Sequence, residues 1–294
     1  MNGVMGKIHV YYPRIEQQRK IAQILDTLDT TIRKTEAIIE KLKQIKQGLL
    51  HDLLTRGIAA NGELRPPYEQ APHLYKESPL GWIPKEWDLA SLESISSAVT
   101  SGSRNWALYY ADSGALFIRI GNLTREHINL RFDSIIYANP PRYADGQRTK
   151  LEAGDLLISI TADLGIVGVV SEGFGDAYIN QHIAMVRLNQ DYVNSRFIGH
   201  YLAGTHAQQN ISQLNDSGAK AGLNLPTIRN IQVVVPNRTE QYGIALRLDE
   251  ADLRIKNART ELAKLQNTKA GLIDDLLTGR VRVTPLLQQD KPHD

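Results

Sequence analysis

The amino-acid sequence predicts an α+β fold, in which one mixed α/β globular domain is flanked by two long helices that pair as an antiparallel coiled coil. Two observations predict this arrangement. A segment with helical periodicity near the start of the chain is repeated near its end. Between the two copies, the sequence consists of short β-branched runs separated by turns.

The repeat is clearest in Lys46–Ile58, "KQGLLHDLLTRGI", which returns 223 positions later as Lys269–Val281, "KAGLIDDLLTGRV". With that offset, residues 21–55 and 244–278 are identical at 15 of 35 positions. Upstream, after a one-residue gap, "IHVYYPRIEQ" resembles "IQVVVPNRTEQ" in its apolar run, its proline and its Glu-Gln pair. Each copy therefore predicts a strand, a turn and a long helix.

Apolar residues in both copies recur at alternating steps of three and four, which is the spacing of one helix face. About 40 residues at 1.5 Å each give a helix of roughly 60 Å, so this face needs a partner helix, and the other copy is the obvious one. The predicted contact residues between the helices are Ile21, Leu25, Leu28, Ile32, Leu42, Leu49, Leu53, Ile244, Leu248, Ile255, Leu265, Leu272 and Leu276.

Between the helices the pattern changes to strands and turns. The runs "GALFIRIGNL", "GDLLISIT", "GIVGVVSE" and "HIAMVRL" are bounded by glycine or polar residues and predict strands, whereas Ser195–Ile211 predicts a helix. Before them, "AANGELRPPYEQAPHLYKESPLGWIP" is rich in proline and glycine and predicts an extended linker that ends in a turn.

The composition excludes several classes of protein. The 294 residues include no cysteine, so a disulfide, a thiolate metal site or a cysteine nucleophile is impossible. His182, His200 and His206 lack metal-ligand spacing with carboxylates, so no metal site is expected. No export signal or membrane span is visible, and we expect a cytoplasmic protein without membrane contact. A net charge of +2 permits a nucleic-acid partner but does not demand one.

Several strings, in order along the chain, carry a resemblance to a known family. They are "LGWIPKEWDLASLESI", "TSGSRNWALYY", "GALFIRIGNL", "LEAGDLLISITADLG", "YINQHIA" and "SGAKAGLNLPTIRNIQVVVP". Together with the helix repeat, they resemble the specificity subunit of a type I restriction-modification system, in which target-recognition domains alternate with helical conserved regions. The resemblance implies a noncatalytic subunit that binds a bipartite target in double-stranded DNA. It also implies that the subunit positions methyltransferase subunits and, through them, a restriction/motor subunit.

The chain departs from this family pattern in one respect. A full-length subunit would carry two recognition domains, whereas here the first is represented only by its last strand. We therefore expect a half-size or N-terminally truncated form that dimerises with itself or pairs with another half subunit. The expected segments are a remnant strand at 1–13, a long helix at 14–58, a linker at 59–84, the target-recognition domain at 85–236, a second long helix at 237–282 and a disordered tail at 283–294.

Base recognition requires side chains with fixed donors and acceptors, such as arginine for guanine and asparagine or glutamine for adenine, held on loops. Four loops offer such side chains, at 101–110, 119–125, 180–182 and 217–224, and the resemblance implies that they face the duplex. The candidate DNA-binding residues are Ser103, Arg104, Asn105, Trp106, Arg119, Asn122, Arg125, Asn180, Gln181, His182, Ser217, Lys220 and Asn224. Two alternatives remain open, because Trp106 also fits a packing role and Arg119 a salt bridge.

An adenine methyltransferase is the alternative function. The string "ANPPRY" (Ala138–Tyr143) is similar to the Asn-Pro-Pro-aromatic motif that holds a flipped adenine, but its fourth residue is Arg142. No glycine-rich strand-to-helix turn suited to S-adenosylmethionine is present, and a phosphate-binding loop of the Walker type is also absent. The sequence therefore favours a binding protein over an enzyme, and we expect no cofactor.

Overall fold

Two long helices form where the repeat predicts them. Helix α1 spans Ile15–Thr55 and helix α5 spans Arg238–Leu277. Just beyond the end of α1, Gly57 adopts a left-handed φ of +65°, which is a common way for a helix to stop. The first turn of α5 is capped by Asn237, whose side-chain oxygen accepts a 3.0 Å hydrogen bond from the backbone N–H of Glu240.

The computed structural model describes residues 12–104, 106–140, 148–216 and 223–289. The chain divides into two compact units, residues 1–45 with 253–294 and residues 46–252. Most of the expected remnant strand, residues 1–11, lies outside the described residues. None of the described helices is long and apolar enough to cross a membrane.

Within the unit of residues 1–45 and 253–294, the start of α1 packs against the end of α5. Ile21 and Leu276 are buried together, with Leu272 packed against them. Lys269 Nζ forms an ion pair with a carboxylate oxygen of Asp29. Because early residues of one helix meet late residues of the other, the two segments run antiparallel in this unit.

The expectation of a disordered tail is wrong for residues 283–289. Val283 is only 3% exposed and joins the cluster around Ile21 and Leu276. A short helix, α6, follows at Thr284–Gln289. Val283, shortly after α5, anchors this segment to the helices. The polar composition of the last residues favoured disorder and gave no sign of this contact. Residues 290–294 lie outside the described part of the chain.

Within the unit of residues 46–252, the end of α1 and the start of α5 belong to the core of the globular domain. Leu53, Ile244 and Leu248 are at most 2% exposed and share one apolar cluster with Trp87 and Phe197. The sequence assigned these three aliphatic residues to a contact between the helices alone. That assignment was incomplete, because the globular domain also covers this part of the apolar face.

Polar side chains also connect the helix ends to each other and to the rest of this unit. Lys46 of α1 forms a buried ion pair with Asp252 of α5. His200 lies 2.7 Å from Asp249, whose other oxygen accepts a 2.5 Å hydrogen bond from Arg196. Burial lowers the pKa of His200 despite the neighbouring carboxylate. Burial opposes ionisation of Asp249, but the hydrogen bonds from His200 and Arg196 prevail and lower its pKa.

The segment expected to be an extended linker is instead folded. Strands β1 (Tyr75–Ser78) and β2 (Gly81–Pro84) form an antiparallel hairpin. Arg65, which precedes it, is buried and makes hydrogen bonds of 2.5 and 3.0 Å to the carboxylate of Glu240. Proline and glycine favoured the linker interpretation, but here they supply the turns of packed structure.

In its described residues, the globular domain contains two four-stranded sheets and one further strand pair. One sheet has the order β10-β6-β7-β5, the other has the order β4-β11-β8-β9, and β12 pairs with β3. The strands are β3 Asp88–Ser91, β4 Ser96–Ser101, β5 Tyr110–Ala111, β6 Ala115–Ile118, β7 Tyr137–Ala138, β8 Leu156–Ser159, β9 Val167–Val169, β10 Ala177–Ile179, β11 Ile183–Leu188 and β12 Gln232–Val235.

The four predicted strand runs correspond to β6, β8, β9 and β11, so the mixed α/β prediction is confirmed. The predicted single helix at 195–211 is divided into α2 (Ser195–Ala203) and α3 (Thr205–Asp216). Gly204 separates them in an extended conformation with ψ near 153°. A further short helix, α4, spans Leu225–Asn230.

Candidate nucleic-acid interface

Loops from both sheets meet at one edge of the globular domain. The backbone N–H of Asn180, after β10, donates to the carbonyl of Ile118 at the end of β6 at 3.1 Å. Gly102, after β4, donates to Ile183 at the start of β11 at 3.4 Å. Ile160, after β8, donates to the carbonyl of His182 at 3.0 Å. Three of the predicted loops therefore lie side by side, together with the β8–β9 turn.

The loop after β4 approaches the 180–182 loop very closely. A Cβ on Gly102 would lie 2.2 Å from the backbone of Asn180, so only glycine fits there. Arg148 stabilises the same loop by donating to the carbonyl of Ser101 at 2.8 Å and to the hydroxyl of Ser103 at 3.2 Å. Arg104 is exposed at this position. Asn105 lies outside the described residues.

Trp106 is placed inside the domain. Its side chain is 3% exposed and stacks on Phe117, with ring centroids 5.0 Å apart and planes inclined by 19°. Tyr178 contacts the same indole ring at 5.2 Å. In this structure Trp106 thus has the packing role that the sequence left open, and its ring does not face solvent.

Asn122 is also buried, at 4% exposure. Its side-chain oxygen accepts from the backbone N–H of Arg119 at 2.9 Å, and its amide donates to the carbonyls of Arg131 and Ser134 at 3.0 and 3.1 Å. The side chain of Arg119 donates to the hydroxyl of Ser134 at 3.1 Å rather than to a carboxylate. Asn122 therefore shapes the loop after β6, while Arg119 lies in that loop.

Arg125 is half-exposed and tied to the turn after β8. Its guanidinium donates to Asp163 Oδ1 at 2.5 Å and to the carbonyl of Leu164 at 2.7 Å. A third bond of 2.9 Å reaches Gln208 of α3. Most of the donors of Arg125 are thus satisfied within the protein.

The loop at 180–182 is organised by its own side chains. Asn180 Oδ1 accepts from the backbone N–H of His182 at 3.2 Å, and Gln181 Nε2 lies 3.1 Å from His182 Nε2. The hydroxyl of Thr161 lies 2.7 Å from His182 Nδ1. All three loop side chains are half-buried, which leaves part of each accessible.

The fourth predicted loop is only partly described. Ser217 and Lys220 lie outside the described residues. Asn224 is exposed, and its side-chain oxygen caps α4 by accepting from the backbone N–H of Thr227 at 2.8 Å. The backbone N–H of Leu223 donates to the carbonyl of Ile160 at 3.1 Å, so the end of this loop returns to the same edge.

Sequence reasoning missed two elements of this edge. Arg148, which supports the loop after β4, carried no motif. The turn Thr161–Gly165 ends the family string "LEAGDLLISITADLG", but the sequence-based candidates include none of its residues. A signal was present there, because a Thr-Ala-Asp turn between two buried β-branched runs exposes polar side chains at a strand end.

Comparison with known proteins assigns the family. The family model described as "Type I restriction modification DNA specificity domain" matches residues 84–267, which is more than half of the chain. The chain belongs to this family of DNA specificity domains.

Two relatives are similar over nearly the whole chain. The type I restriction enzyme MjaVIII specificity subunit of Methanocaldococcus jannaschii is 23% identical, over 96% of this chain and 64% of its own length. The EcoBI specificity subunit of Escherichia coli is 24% identical, over 92% of this chain and 57% of its own length. The chain therefore spans less than two thirds of the length of these relatives.

Solved structures support the fold. The HsdS subunit from Thermoanaerobacter tengcongensis matches with a TM-score of 0.53 at 17% identity, over 92% of this chain and 60% of that one. The S subunit of a type I restriction-modification system from M. genitalium matches with a TM-score of 0.57 at 16% identity, over 90% of this chain and 61% of that one.

Proposed function

We propose that this chain is the sequence-specific DNA-recognition subunit of a type I restriction-modification complex, acting in the cytoplasm and without catalytic activity of its own. The observation that carries the proposal is the meeting of three candidate loops and the β8–β9 turn at one edge of a rigid sheet scaffold. Loops held in this way can present side chains to base edges in the major groove.

The side chains available for base recognition are fewer than the sequence offered. Arg104 is exposed and suits guanine, while Asn180 and Gln181 are half-buried and suit adenine. Ser103, Arg119, His182 and Asn224 also have partners in the protein, and we assign them to positioning or phosphate contacts. Asn105, Ser217 and Lys220 remain proposed from the sequence alone. Trp106 and Asn122 support the loops from within.

The charge of the domain limits how it binds. Residues 80–236 contain 12 Lys/Arg and 14 Asp/Glu, so the domain lacks a bulk positive charge. Nonspecific affinity for DNA comes mainly from neutralised phosphates. We therefore expect weak nonspecific binding by this domain, with specificity depending on a few local contacts and on the assembled complex.

The two long helices are proposed to form an antiparallel coiled coil that holds methyltransferase subunits and, through them, the restriction/motor subunit. The ion pairs Lys46–Asp252 and Lys269–Asp29 support this proposal. The two pairs are equivalent in the repeat, because Lys269 is the copy of Lys46 and Asp252 is the copy of Asp29, each 223 positions later. Equivalent contacts in the two copies of the repeat suggest that each copy offers the same surface, so one kind of partner can bind twice.

One end of the helix pair lies in the unit of residues 1–45 and 253–294. A second recognition domain is proposed to cover part of the surface at that end. Leu54 is 8% exposed against the globular core, whereas its repeat equivalent Leu277 is 64% exposed. Ile58 is 6% exposed, and its equivalent Val281 is 48% exposed. The repeat indicates what would cover Leu277 and Val281. The equivalent residues Leu54 and Ile58 are covered by the globular domain, so a second domain of the same kind fits the exposed copy.

The test of the proposed function is methylation of DNA in cells. Cells that express this chain together with the methyltransferase subunit of its system should acquire methylation at one bipartite motif. Cells that express either protein alone should not acquire it. Methylation at that motif without this chain, or by this chain without a methyltransferase, would refute a noncatalytic recognition role.

The adenine methyltransferase alternative has less support. The side-chain amide of Asn139, in the Asn-Pro-Pro string, donates to the carbonyl of Ser113 at 3.1 Å and is engaged within the protein. Arg142 and Tyr143 lie outside the described residues. Calorimetric titration of the purified chain with S-adenosylmethionine separates the two functions, since only the alternative predicts saturable binding.

A further inference from the structure

The turn between β8 and β9, Thr161–Gly165, lies at the same edge as the candidate loops. Ala162 in this turn is exposed and has a φ of 57°. It is the one non-glycine residue with positive φ in the described part of the chain. This conformation is disfavoured for alanine and persists only where the surroundings hold it.

Contacts on both sides of Ala162 hold the turn in place. The buried hydroxyl of Ser159 donates to the carbonyl of Asp163 at 2.5 Å. The hydroxyl of Thr161 lies 2.7 Å from Nδ1 of His182 in the neighbouring loop. The turn is therefore preorganised, and the side chain of Asp163 starts from a fixed backbone position.

Arg125 fixes the carboxylate of Asp163. Its Nη2 and Nε donate to Oδ1 at 2.5 and 3.2 Å, and its other bonds go to Leu164 and Gln208. Both bonds to the carboxylate end at Oδ1. Among the described residues Oδ2 has no hydrogen-bond partner, and the Asp163 side chain is 58% exposed.

An exposed carboxylate beside DNA is unfavourable unless a cation balances it, because phosphates repel it. Arg125 provides that balance and also fixes the orientation of the carboxylate, which leaves Oδ2 as an acceptor. In the major groove, an aspartate acceptor matches the N4 amino group of cytosine. We propose that Asp163 recognises a cytosine of the target through Oδ2, with Arg125 as its positioning residue. This inference rests on the proposed function as a DNA-recognition subunit.

The test uses the full chain in complex with its methyltransferase subunit and compares Asp163→Asn with Asp191→Asn. Both substitutions change the net charge equally. Asp191 is exposed and follows the opposite end of β11, so it controls for charge alone. Methylome sequencing defines the wild-type motif, and affinities are then measured for duplexes in which each C·G pair of the motif is replaced in turn.

We expect Asp163→Asn to lower discrimination at one C·G pair by roughly 5- to 160-fold and to leave the other positions unchanged. Asp191→Asn should keep the wild-type pattern. Arg125→Lys keeps the charge but loses the forked geometry, so it should lower discrimination at the same base pair and at no other.

Two outcomes would overturn the inference while leaving the proposed function intact. Equal weakening on all duplexes would mean that Asp163 only supports Arg125. Equal strengthening, with a steeper dependence of affinity on salt, would mean that Asp163 only repels phosphate. If the wild-type complex shows no sequence preference for any duplex, the proposed function itself fails.

Discussion

The ion pairs Lys46–Asp252 and Lys269–Asp29 are equivalent in the repeat but differ in burial. The loss of stability on removing a buried lysine can therefore be compared with the loss on removing its exposed equivalent. The side chains of Lys46 and Asp252 are 8% and 4% exposed, whereas those of Lys269 and Asp29 are 30% and 40% exposed. Lys46 Nζ also donates to the carbonyl of Glu126 at 2.6 Å. Lys46→Met keeps an apolar stem but leaves Asp252 buried without a counter-charge. It should lower the free energy of unfolding by about 3 to 5 kcal/mol.

Lys269→Met removes the same kind of pair where solvent screens it, and should lower the free energy of unfolding by about 1 kcal/mol or less. Urea unfolding followed by circular dichroism measures both variants. Tryptophan fluorescence adds a local probe, because Trp82, Trp87 and Trp106 all lie in the unit of residues 46–252.

A double variant, Lys46→Met with Asp252→Leu, provides the control for the buried pair. Replacing both partners with apolar groups removes the buried charge altogether, so most of the stability should return. Equal losses for the two single lysine variants would refute the reasoning. So would a double variant that is no more stable than Lys46→Met.

Three further outcomes are expected. Gly57→Ala should lower the free energy of unfolding by about 2 kcal/mol or more, because φ is +65° and a Cβ would lie 2.4 Å from an indole carbon. Gly48→Ala, inside a helix with open space around it, should raise the free energy of unfolding by about 0.5 to 1 kcal/mol. Urea titration measures both. Arg104→Ala should weaken specific binding by about 1 to 3 kcal/mol in anisotropy titrations without lowering the melting temperature. The lowered pKa of His200 keeps it neutral when folded, while the unfolded chain takes up a proton near pH 6.5. Stability should therefore fall below about pH 6.5, by up to about 1.4 kcal/mol per pH unit in thermal melts, and the lowered pKa of Asp249 adds a further loss in stronger acid.

Hydrophobic periodicity was sufficient to predict the two long helices and four of the strands, because both depend on which face of a local segment is apolar. It could not predict what covers that face. Leu53 and Leu276 occupy the same repeat position and are both buried, yet Leu53 lies in the core of the globular domain and Leu276 in a small cluster with Ile21. The partner of an apolar face is a tertiary property.

The candidate site shows a similar limit. Residue type directed attention to loops that the structure brings together, such as Gly102 beside Asn180. It could not distinguish an amide that faces solvent from one that is satisfied inside the protein, as in Asn122, whose three hydrogen bonds are all internal. Nor could it show that Asp163 is paired with Arg125, because those residues are 38 positions apart.

The methylation motif itself can reveal which recognition domain occupies the second position. Under the proposed function, the globular domain in this chain recognises one half of a target. If a second copy of the chain supplies the other domain, two-fold symmetry requires inverted copies of one short sequence, separated by a spacer that the helix pair fixes. If a different chain supplies it, the two half-sites will be unrelated. We expect the interrupted palindrome, together with two copies of this chain per complex by light scattering. Unrelated half-sites, or a complex with one copy, would refute self-pairing and indicate a different recognition domain on the surface around Leu277 and Val281.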